Sequence, residues 1–480
     1  MLINGSAHQI PLRDKSVHSI CTSPPYFGLR KYPGRQEVEW PAGRYSPCTG
    51  APACIEVPEM RCGLGMEPTV EAYIWHMLLV LRECRRVLRD DGTLWLNLGD
   101  SFAGTGKSGG GKQGEQWEEE GLTHIGARGG KWKPAPSGLN QGDLIGIPHR
   151  VMLAAQADEW LIRNDCVWGK LTVMPESVRG WKWSRCRTKV KKGSIDRFGN
   201  QDHSLLSRTE VGKGEHHAKW EYCRGCEECS PNNGYVLRRG SWRHTRAHEY
   251  IFQLTKQMSY WADGEMVKER AIYAGDDRKG RANKDHKSMP DKIHNGIRPG
   301  EPTSNLAFRN PRSVITPSPS PYAGLHFATF PPDLIIGLIL SSVPHRCCPE
   351  CGQGWAPVVH QSVTFASGSG AAGRKPIGKT AGGQQTESGD YDIRMGPVVT
   401  SRVNGYRPTC DCGRSDYVPG ILLDPFCGSG TSGAVARQCS VGFVGVDISF
   451  EYLNQQAMWR AERRISLEKI EKMPLFAGTK

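Results

Sequence analysis

The sequence contains no long apolar run and no leader-like start. None of its segments approaches the ~18 consecutive apolar residues of a membrane-spanning helix. The first residues, Met1–Asn4, lack the charged-then-apolar pattern of a secretory signal peptide. Internal repeats are absent too, which excludes a repeat architecture. We therefore expect a soluble, cytoplasmic protein that has no membrane partner.

Cysteine, in contrast, is plentiful, with 17 residues in the chain. A disulfide scaffold is not expected in the reducing cytoplasm, so metal binding is the hypothesis that these thiols favour. A tetrahedral structural Zn²⁺ takes four thiolates at about 2.3 Å, and short Cys-x-x-Cys or Cys-x-Cys spacings supply them in pairs. The sequence predicts two such zinc sites, formed by Cys186, Cys223, Cys226 and Cys229 and by Cys348, Cys351, Cys410 and Cys412.

Some ligand choices stay open at these two sites. His216 or His217 is an alternative ligand at the first site, and Cys347 competes with Cys348 at the second. Because small insertions bury little apolar surface, a structural zinc would supply the folding free energy that they lack. A weaker cluster, without a fourth partner, consists of Cys48, Cys54 and Cys62.

Acidic residues are outnumbered by basic ones. The chain has 62 Lys and Arg residues against 49 Asp and Glu residues, for a formal net charge of +13. This excess favours a polyanionic partner and predicts salt-sensitive binding. The segment Val178–Gly193 contains seven basic residues and no acid, and it interleaves Trp181 and Trp183. We expect this segment to follow a phosphate backbone.

The C-terminal part of the sequence has the pattern of a strand, a glycine-rich turn, a helix and a second strand. Ile421–Leu423 is predicted as a buried strand, and Thr431–Cys439 and Val441–Val446 follow the turn as helix and strand. Asp447 ends the second strand, 23 residues after Asp424. An acid at this place accepts hydrogen bonds from the ribose hydroxyls of a nucleotide-like cofactor. The predicted cofactor-binding residues here are Asp424, Pro425, Phe426, Gly428, Gly430, Thr431 and Asp447.

The C-terminal pattern needs strands from elsewhere, because two strands cannot complete a doubly wound sheet. After Asp447 only a helix from about Phe450 to Lys472 remains, so the other strands must come from earlier in the chain. Val17–Cys21 is the natural candidate, and it leads into Ser23–Tyr26. Since ligands of open α/β sheets bind at the carboxyl ends of strands, both motifs are expected to face one cleft.

The motif Ser23-Pro24-Pro25-Tyr26 has the groups needed to hold an amine. Two consecutive prolines fix the backbone and offer no N–H, so the carbonyls of Ser23 and Pro24 are acceptors aimed in a set direction. Tyr26 provides an aromatic face on which a planar base can stack, and Ser23 adds a hydroxyl. Acceptors that bind the hydrogens of an exocyclic amine leave its nitrogen lone pair for an electrophile. All four residues are therefore candidate catalytic residues.

Together these motifs resemble those of the amino-methylating DNA methyltransferases, which transfer a methyl group from S-adenosylmethionine to N4 of cytosine or N6 of adenine. The catalytic motif precedes the cofactor motif, as in the permuted β group of that family. Further stretches that are similar to the family are Val87–Ser101, Arg163–Lys170, Ala247–Phe252 and His326–Pro331.

The resemblance implies a Rossmann-like methyltransferase sheet with helices on both faces, here carrying Cys-rich zinc-binding insertions. It implies S-adenosyl-L-methionine as the cofactor and double-stranded DNA as the partner, with the target base flipped out of the duplex. Thr329 and Phe330 belong to the segment that is expected to close over the methionine end of the cofactor. A prokaryotic cell, or one infected by a phage that encodes the protein, is the expected host, and a cognate restriction endonuclease is a candidate partner.

The target base stays open between two choices. The serine form of the catalytic motif is commoner among the N4-cytosine enzymes, so N4 of cytosine is preferred and N6 of adenine is the alternative. A zinc-stabilised DNA-binding protein with an inactive methyltransferase cleft is the rival from another class. Methylation at C5 of cytosine needs a thiolate nucleophile. Pro47–Cys48 is the one dipeptide of that type, and the motif order disfavours this chemistry.

The predicted domain organisation alternates catalytic segments with insertions. Residues 1–170 carry the target-amine motif, and residues 416–480 bind the cofactor. The segments between them are a basic Cys-rich insertion (171–245), a sheet strand (246–264), a target-recognition region (265–320), a cofactor-closing segment (321–345) and a zinc ribbon (346–415).

Overall fold

The computed structural model describes residues 1–28, 36–103, 138–140, 142–173, 179–190, 219–270, 308–317, 330–365 and 397–458. Within these ranges, no helix combines the length and the apolar character needed to cross a membrane. The chain divides into two compact units. The first comprises Met1–Leu171 and His248–Lys480, and the second is Thr172–Ala247.

The described strands, in chain order, are β1 (Leu2–Asn4), β2 (Val17–Thr22), β3 (Val38–Trp40), β4 (Gly43–Tyr45), β5 (Ile55–Val57), β6 (Met60–Cys62), β7 (Leu88–Leu98), β8 (Leu161–Gly169), β9 (Arg179–Arg185), β10 (Arg187–Val190), β11 (Lys219–Tyr222), β12 (Tyr235–Trp242), β13 (His248–Thr255), β14 (Glu269–Arg270), β15 (Phe308–Arg309), β16 (Val314–Ile315), β17 (Ala356–Phe365), β18 (Pro397–Arg407), β19 (Ile421–Asp424) and β20 (Gly442–Asp447). The helices are α1 (Val70–Val87), α2 (Ile147–Ala157), α3 (Pro332–Ser342), α4 (Thr431–Gln438) and the short α5 (Phe450–Tyr452). Two 3₁₀ turns span Ser230–Asn232 and Glu265–Val267.

The helix predicted from Phe450 begins at that residue. After α5 the chain continues as a π-helical turn over Leu453–Ala457. The rest of the predicted helix, from residue 459 to about Lys472, lies outside the described residues.

Eight strands of the first unit form one mixed sheet in the order β1-β20-β19-β2-β7-β13-β8-β16. Neighbouring strands are parallel except at β13, which is antiparallel to both β7 and β8. In β19, Leu423 pairs with Val444 of β20 on one side and with Ile20 of β2 on the other. The two sequence motifs therefore follow adjacent strands, and the predicted Rossmann-like α/β fold class is confirmed.

Helices cover both faces of this sheet. Leu94 and Leu96 of β7 belong to an apolar cluster with α1 and α2, whereas Trp95 belongs to a second cluster with α3 and α4. Leu423 and Leu422 of β19 alternate between the two clusters in the same way. Because successive side chains of a strand point to opposite faces, this alternation defines three layers. Every residue of β2 is buried, as expected for a strand that is covered on both sides.

Helix α1 follows from local sequence signals. Thr69 caps its N-terminus by accepting a hydrogen bond from the backbone N–H of Ala72 at 3.2 Å. Arg85 and Arg86 lie in the last turn, where basic side chains complement the helix dipole. The buried face of the helix includes Tyr73, whose hydroxyl reaches the target-amine motif.

The described part of the second unit contains two short antiparallel pairs, β9 with β12 and β10 with β11. Its described apolar core is small, with Cys186, Cys229 and Val236 buried and with Cys223 and Cys226 packed against them. Since four of these five residues are cysteines, the core offers little apolar surface to drive folding.

Candidate active site and cysteine clusters

The target-amine motif is held firmly at the end of β2. Tyr73 donates its hydroxyl hydrogen to the Pro25 carbonyl at 2.9 Å. The Tyr26 ring lies against Gly99, where an added Cβ atom would come within 2.5 Å of Tyr26 Cε2. At Gly65, which has a φ of +87°, an added Cβ atom would lie 2.8 Å from the Tyr26 carbonyl oxygen. A larger residue at either glycine would therefore displace Tyr26.

Four oxygen atoms meet beside this motif. The Tyr26 hydroxyl lies 2.9 Å from Asn97 Oδ1 and 2.7 Å from Glu249 Oε2. Ser23 Oγ lies 3.2 Å from the Tyr26 hydroxyl and 3.2 Å from Asn97 Oδ1. With Glu249 ionised, only the two hydroxyl groups among these four atoms carry a hydrogen. The cluster is therefore rich in acceptors and suits a ligand group that brings N–H donors. We name it the acceptor cluster.

Neighbouring groups fix the acceptor cluster. Asn97 Nδ2 donates to the Tyr250 carbonyl at 3.0 Å, which orients Oδ1 toward the motif. Lys170 forms an ion pair with Glu249, and its Nζ atom lies 4.7 Å from the centroid of the Trp168 ring. Since the Glu249 side chain is only 14% exposed, the Lys170 ammonium balances a largely buried charge.

Asn97, Lys170 and Glu249 were not predicted as site residues from the sequence. Each lies in a stretch that is similar to the methyltransferase family. That similarity indicated the segment but did not identify the individual residue. The pairing of β13 with both β7 and β8 brings them together, with Glu249 directly opposite Trp168.

The cofactor motif forms a tight turn between β19 and α4. Gly428 and Gly430 have φ values of +49° and +77°, which favour glycine. At Gly430 an added Cβ atom would also lie 2.7 Å from Ala457 Cα. Asp447, at the end of β20, accepts hydrogen bonds from Gly428 N at 2.7 Å and from Ser449 N at 2.8 Å. The turn and the acidic residue are thus fixed to one another.

Asp424 joins the two motifs. Its side chain is buried, with 2% exposure, and it accepts hydrogen bonds from Thr22 Oγ1 at 2.7 Å, from Phe426 N at 3.1 Å and from the Ser432 hydroxyl. Thr22 immediately precedes the target-amine motif. Burial raises the pKa of the Asp424 carboxyl to about 6. Because these three donors come from β2, the turn and α4, the Asp424 side chain stabilises the turn and connects β19 to β2.

The other predicted cofactor residues have varied surroundings. Pro425 and Thr431 are buried in the turn, and Phe426 packs against the apolar cluster that includes α1 and α2. Phe330 is buried in the apolar cluster that includes α3 and α4. Thr329 lies outside the described residues.

The sequence of the chain matches a known protein family. Residues 17–346 match the family model N6_N4_Mtase, which is described as DNA methylase. This span exceeds half of the chain and includes the target-amine motif and the acceptor cluster. The chain belongs to this DNA methylase family. The cofactor motif of the methylase follows the matched span.

Individual relatives of the methylase carry type II names. The type II methyltransferase M.Cfr9I of Citrobacter freundii is 25% identical over 440 residues, which are 92% of this chain and 79% of that protein. The type II methyltransferase M.SmaI of Serratia marcescens is 27% identical over 312 residues, 65% of this chain and 64% of that protein. Among solved structures, the PvuII DNA methyltransferase (cytosine-N4-specific) matches with a TM-score of 0.40 and 12% identity, covering 100% of this chain and 93% of that chain.

The methylase assembles both predicted four-cysteine sets. In each set, all four Sγ atoms lie within 4.8 Å of one another. Hydrogen bonding from the backbone at Cys229 lowers the pKa of the Cys226 thiol to about 7, and the backbone at Cys351 does the same for Cys348. The thiolate is the form that binds zinc. His216 and His217, the alternative ligands, lie outside the described residues.

The second cysteine cluster is attached to the catalytic sheet through His18 of β2. The His18 ring accepts a hydrogen bond from Ile421 N at 3.0 Å through Nδ1 and donates to the Gly352 carbonyl at 2.9 Å through Nε2. Burial lowers the His18 pKa, which agrees with a neutral ring in these two roles. Cys347 is not among the four cysteines that meet here. Its Sγ atom lies 3.3 Å from His18 Nε2 instead.

Cys62 lies beside a buried acid–histidine pair rather than in a cysteine cluster. Its ligand atom and those of Glu67 and His76 lie within 4.8 Å of one another. Glu67 accepts hydrogen bonds from His76 Nδ1 at 2.9 Å and from Gly65 N at 2.8 Å. Both side chains of the pair are fully buried. The pair therefore braces the turn at Gly65 on which Tyr26 rests.

Proposed function

We propose that the protein is a type II, site-specific DNA methyltransferase that transfers a methyl group from S-adenosyl-L-methionine to N4 of a flipped cytosine. The observation that carries the proposal is the 2.7 Å hydrogen bond between Thr22 and Asp424, because it joins the amine motif directly to the glycine turn. The type II names of the relatives support a restriction-modification context, with a cognate restriction endonuclease as a partner.

We assign the binding of the target amine to Ser23, Tyr26 and Asn97. Pro24 and Pro25 keep the motif around Ser23 and Tyr26 rigid. Bound S-adenosylmethionine supplies the electrophilic methyl group. When the amine nitrogen takes this methyl group, the donor's sulfur–carbon bond would break and the amine would release one proton to solvent water. Ser23 Oγ and Asn97 Oδ1 accept the amine hydrogens, and the Tyr26 ring stacks on the base. No covalent enzyme intermediate is required, so positioning supplies most of the acceleration.

The residues of the glycine turn fit S-adenosylmethionine. Each Asp447 oxygen accepts one backbone N–H, and the remaining lone pairs suit the two ribose hydroxyls. The glycines Gly428 and Gly430 keep the turn free of side chains there, so a ligand can approach its backbone closely. Phe330 and Thr329 remain assigned to the methionine end of the cofactor.

The choice of cytosine rests on Ser23. The serine form of the motif is the one commoner among N4-cytosine enzymes. N6 of adenine is the second candidate, since the acceptor cluster would bind either amine.

Nucleoside mass spectrometry tests the reaction and the base together. DNA is incubated with the protein and isotope-labelled S-adenosyl-L-methionine and then digested to nucleosides. We expect labelled N4-methylcytosine with the native protein and none with the Tyr26→Ala variant. Labelled N6-methyladenine without N4-methylcytosine would overturn the choice of base. If neither product forms, and calorimetry detects DNA binding but no cofactor binding, the inactive-cleft rival is correct.

We also propose one structural Zn²⁺ at each four-cysteine cluster. The donor set fits, because four thiolates complete a tetrahedral site and leave no open position for chemistry. The cluster around Cys226 would stabilise the second unit, and the cluster around Cys348 would stabilise the β17–β18 ribbon of the first.

A further inference from the structure

The second unit presents an exposed aromatic surface on its β9–β12 pair. Trp181 and Trp183 are 63% and 56% exposed. Trp183 is paired with Leu237, and Trp181 with Arg239. Because directly paired residues of an antiparallel ladder point to the same side, these side chains share one face. Tyr235 extends the same row of β12 and is 43% exposed. Trp242, which lies beyond a register irregularity and pairs with Arg179, is 64% exposed. The aromatic face is defined by four side chains: Trp181, Trp183, Tyr235 and Leu237.

The opposite side of the same strand pair is occupied. Val236 is buried and packs against the four-cysteine cluster. Lys182 and Arg238, which are paired with each other on that side, are exposed at its margin. The β9–β12 pair therefore uses one face to cover the cysteine cluster, whereas the aromatic face packs against no described apolar cluster. Soluble domains rarely expose so many large apolar side chains together unless they bind a ligand.

The charge of the second unit identifies the kind of ligand. Residues 172–247 contain 16 Lys and Arg against 8 Asp and Glu, a net charge of +8 within the +13 of the whole chain. Arg185 and Arg239 lie on the aromatic face and are exposed. Arg185 and Arg187 each lie 5.1 Å from the ring centroid of Tyr222, which is 58% exposed. Exposed rings interleaved with guanidinium groups match the stacked bases and phosphates of a nucleic-acid strand.

We propose that the aromatic face binds DNA whose bases are unpaired, with Trp181 and Trp183 stacking on bases and the adjacent arginines contacting phosphates. The proposal rests on DNA as the proposed substrate, and it adds a second binding site, separate from the acceptor cluster. Unpaired rather than duplex DNA is the ligand because bases in an intact duplex expose only their edges, whereas a tryptophan ring needs a base face.

The test is a binding titration of the full-length protein with a fluorescein-labelled single-stranded oligonucleotide of mixed sequence. We expect the Trp181→Ala/Trp183→Ala variant to bind this strand about tenfold or more weakly than the native protein. The Trp181→Phe/Trp183→Phe variant keeps two stackable rings and should retain most of the affinity. The salt dependence should be unchanged in both variants, because neither removes a phosphate contact.

A matched control uses the other side of the same strands. Lys182→Ala/Arg238→Ala removes two charges from the side away from the aromatic face, so it should leave the affinity for the single strand close to that of the native protein. Native affinity in Trp181→Ala/Trp183→Ala would overturn the proposal, and so would an equal loss in that variant and in the phenylalanine pair. A change in oligomeric state by ultracentrifugation, with DNA binding unchanged, would identify the aromatic face as a protein interface instead. Methylated nucleosides are measured separately, so failure of the proposed function and failure of the aromatic face are distinguishable.

Discussion

At the scale of single residues, the Tyr26 hydroxyl connects the target-amine motif to the rest of the candidate site. It contacts Ser23, Asn97 and Glu249, which come from three different strand ends. Its ring is confined by Gly99, so the hydroxyl and the ring are positioned together. One side chain thus has two separable roles, a stacking surface and a member of the acceptor cluster.

Two substitutions separate these roles. Tyr26→Ala removes the ring and should lower kcat by about 100-fold or more, because a base that is not stacked is misplaced relative to the methyl donor. Tyr26→Phe keeps the ring and should lose distinctly less. Single-turnover methylation measures the rate, and calorimetry should find S-adenosylmethionine affinity unchanged in both variants. Native turnover in Tyr26→Ala would refute the stacking role.

At the scale of elements, the site depends on the contact between β2 and β19. These strands are adjacent in the sheet, although Thr22 and Asp424 are 402 residues apart in the sequence. The buried carboxylate of Asp424 accepts three hydrogen bonds. Losing one of them is costly, because a buried carboxylate cannot replace the lost donor with water. The bond therefore serves both stability and the alignment of the two motifs.

Thr22→Val tests this contact with little change of shape. The variant removes one donor from a buried carboxylate and should lower the free energy of unfolding by about 1–3 kcal/mol. Thr93→Val in β7 is the matched control, because the Thr93 hydroxyl is buried and has no hydrogen-bond partner among the described residues. Its removal should be neutral or stabilising. Urea denaturation followed by circular dichroism measures both, and equal effects of the two substitutions would contradict the role of the Thr22–Asp424 bond.

The raised pKa of Asp424 leads us to expect that the stability of the protein depends on pH. Burial raises its pKa from 3.8 to about 6, so the folded protein holds the proton more tightly than the unfolded chain does. The resulting contribution to stability is complete below the unfolded pKa and is lost as pH rises through 6. Relative to Asp424→Asn, the native protein should therefore lose stability between about pH 4 and pH 6, by about 3 kcal/mol at most.

Denaturation of both proteins across that pH range provides the measurement. The slope is the informative quantity, because the asparagine is expected to lower stability at every pH by disturbing the hydrogen bonds of Thr22 and Ser432. Parallel curves for the two proteins would show that Asp424 does not titrate in this range.

At the scale of the whole molecule, features encoded within short stretches were predictable from sequence. The strands β2, β19 and β20, the glycine turn and the pairs of zinc-type cysteines each depend on residues that are close together in the chain. The fold class followed from the strand–glycine turn–helix–strand pattern and from the resemblance to the DNA amino-methyltransferases. The acceptor cluster was not predictable in this way, because Tyr26 and Glu249 are 223 residues apart and meet only through the antiparallel strand β13. The partner of Cys62 was missed for a similar reason, since Glu67 and His76 carry no cysteine pattern.

The two units differ in their cores, and this difference predicts how strongly each depends on bound zinc. The first unit has an extensive apolar core, whereas the described core of the second consists mainly of cysteines. A structural zinc contributes about 10 kcal/mol or more to the folding of a small domain. Elemental analysis should therefore find one zinc per cluster in the native protein. Cys226→Ser should remove one of them and make the second unit sensitive to proteolysis, while the unfolding transition of the first unit persists.

Controls for this prediction come from cysteines in other surroundings. Cys351→Ser should remove the other zinc and, through the hydrogen bond between His18 and the Gly352 carbonyl, lower the stability of the catalytic sheet. Cys54→Ser alters an exposed thiol outside the clusters and should leave the zinc content unchanged. A further zinc that disappears in Cys62→Ser would mean that Glu67 and His76 bind metal rather than brace Gly65. Native zinc content in Cys226→Ser would refute zinc binding at the cluster of the second unit, and a stable metal-free second unit would refute its dependence on metal.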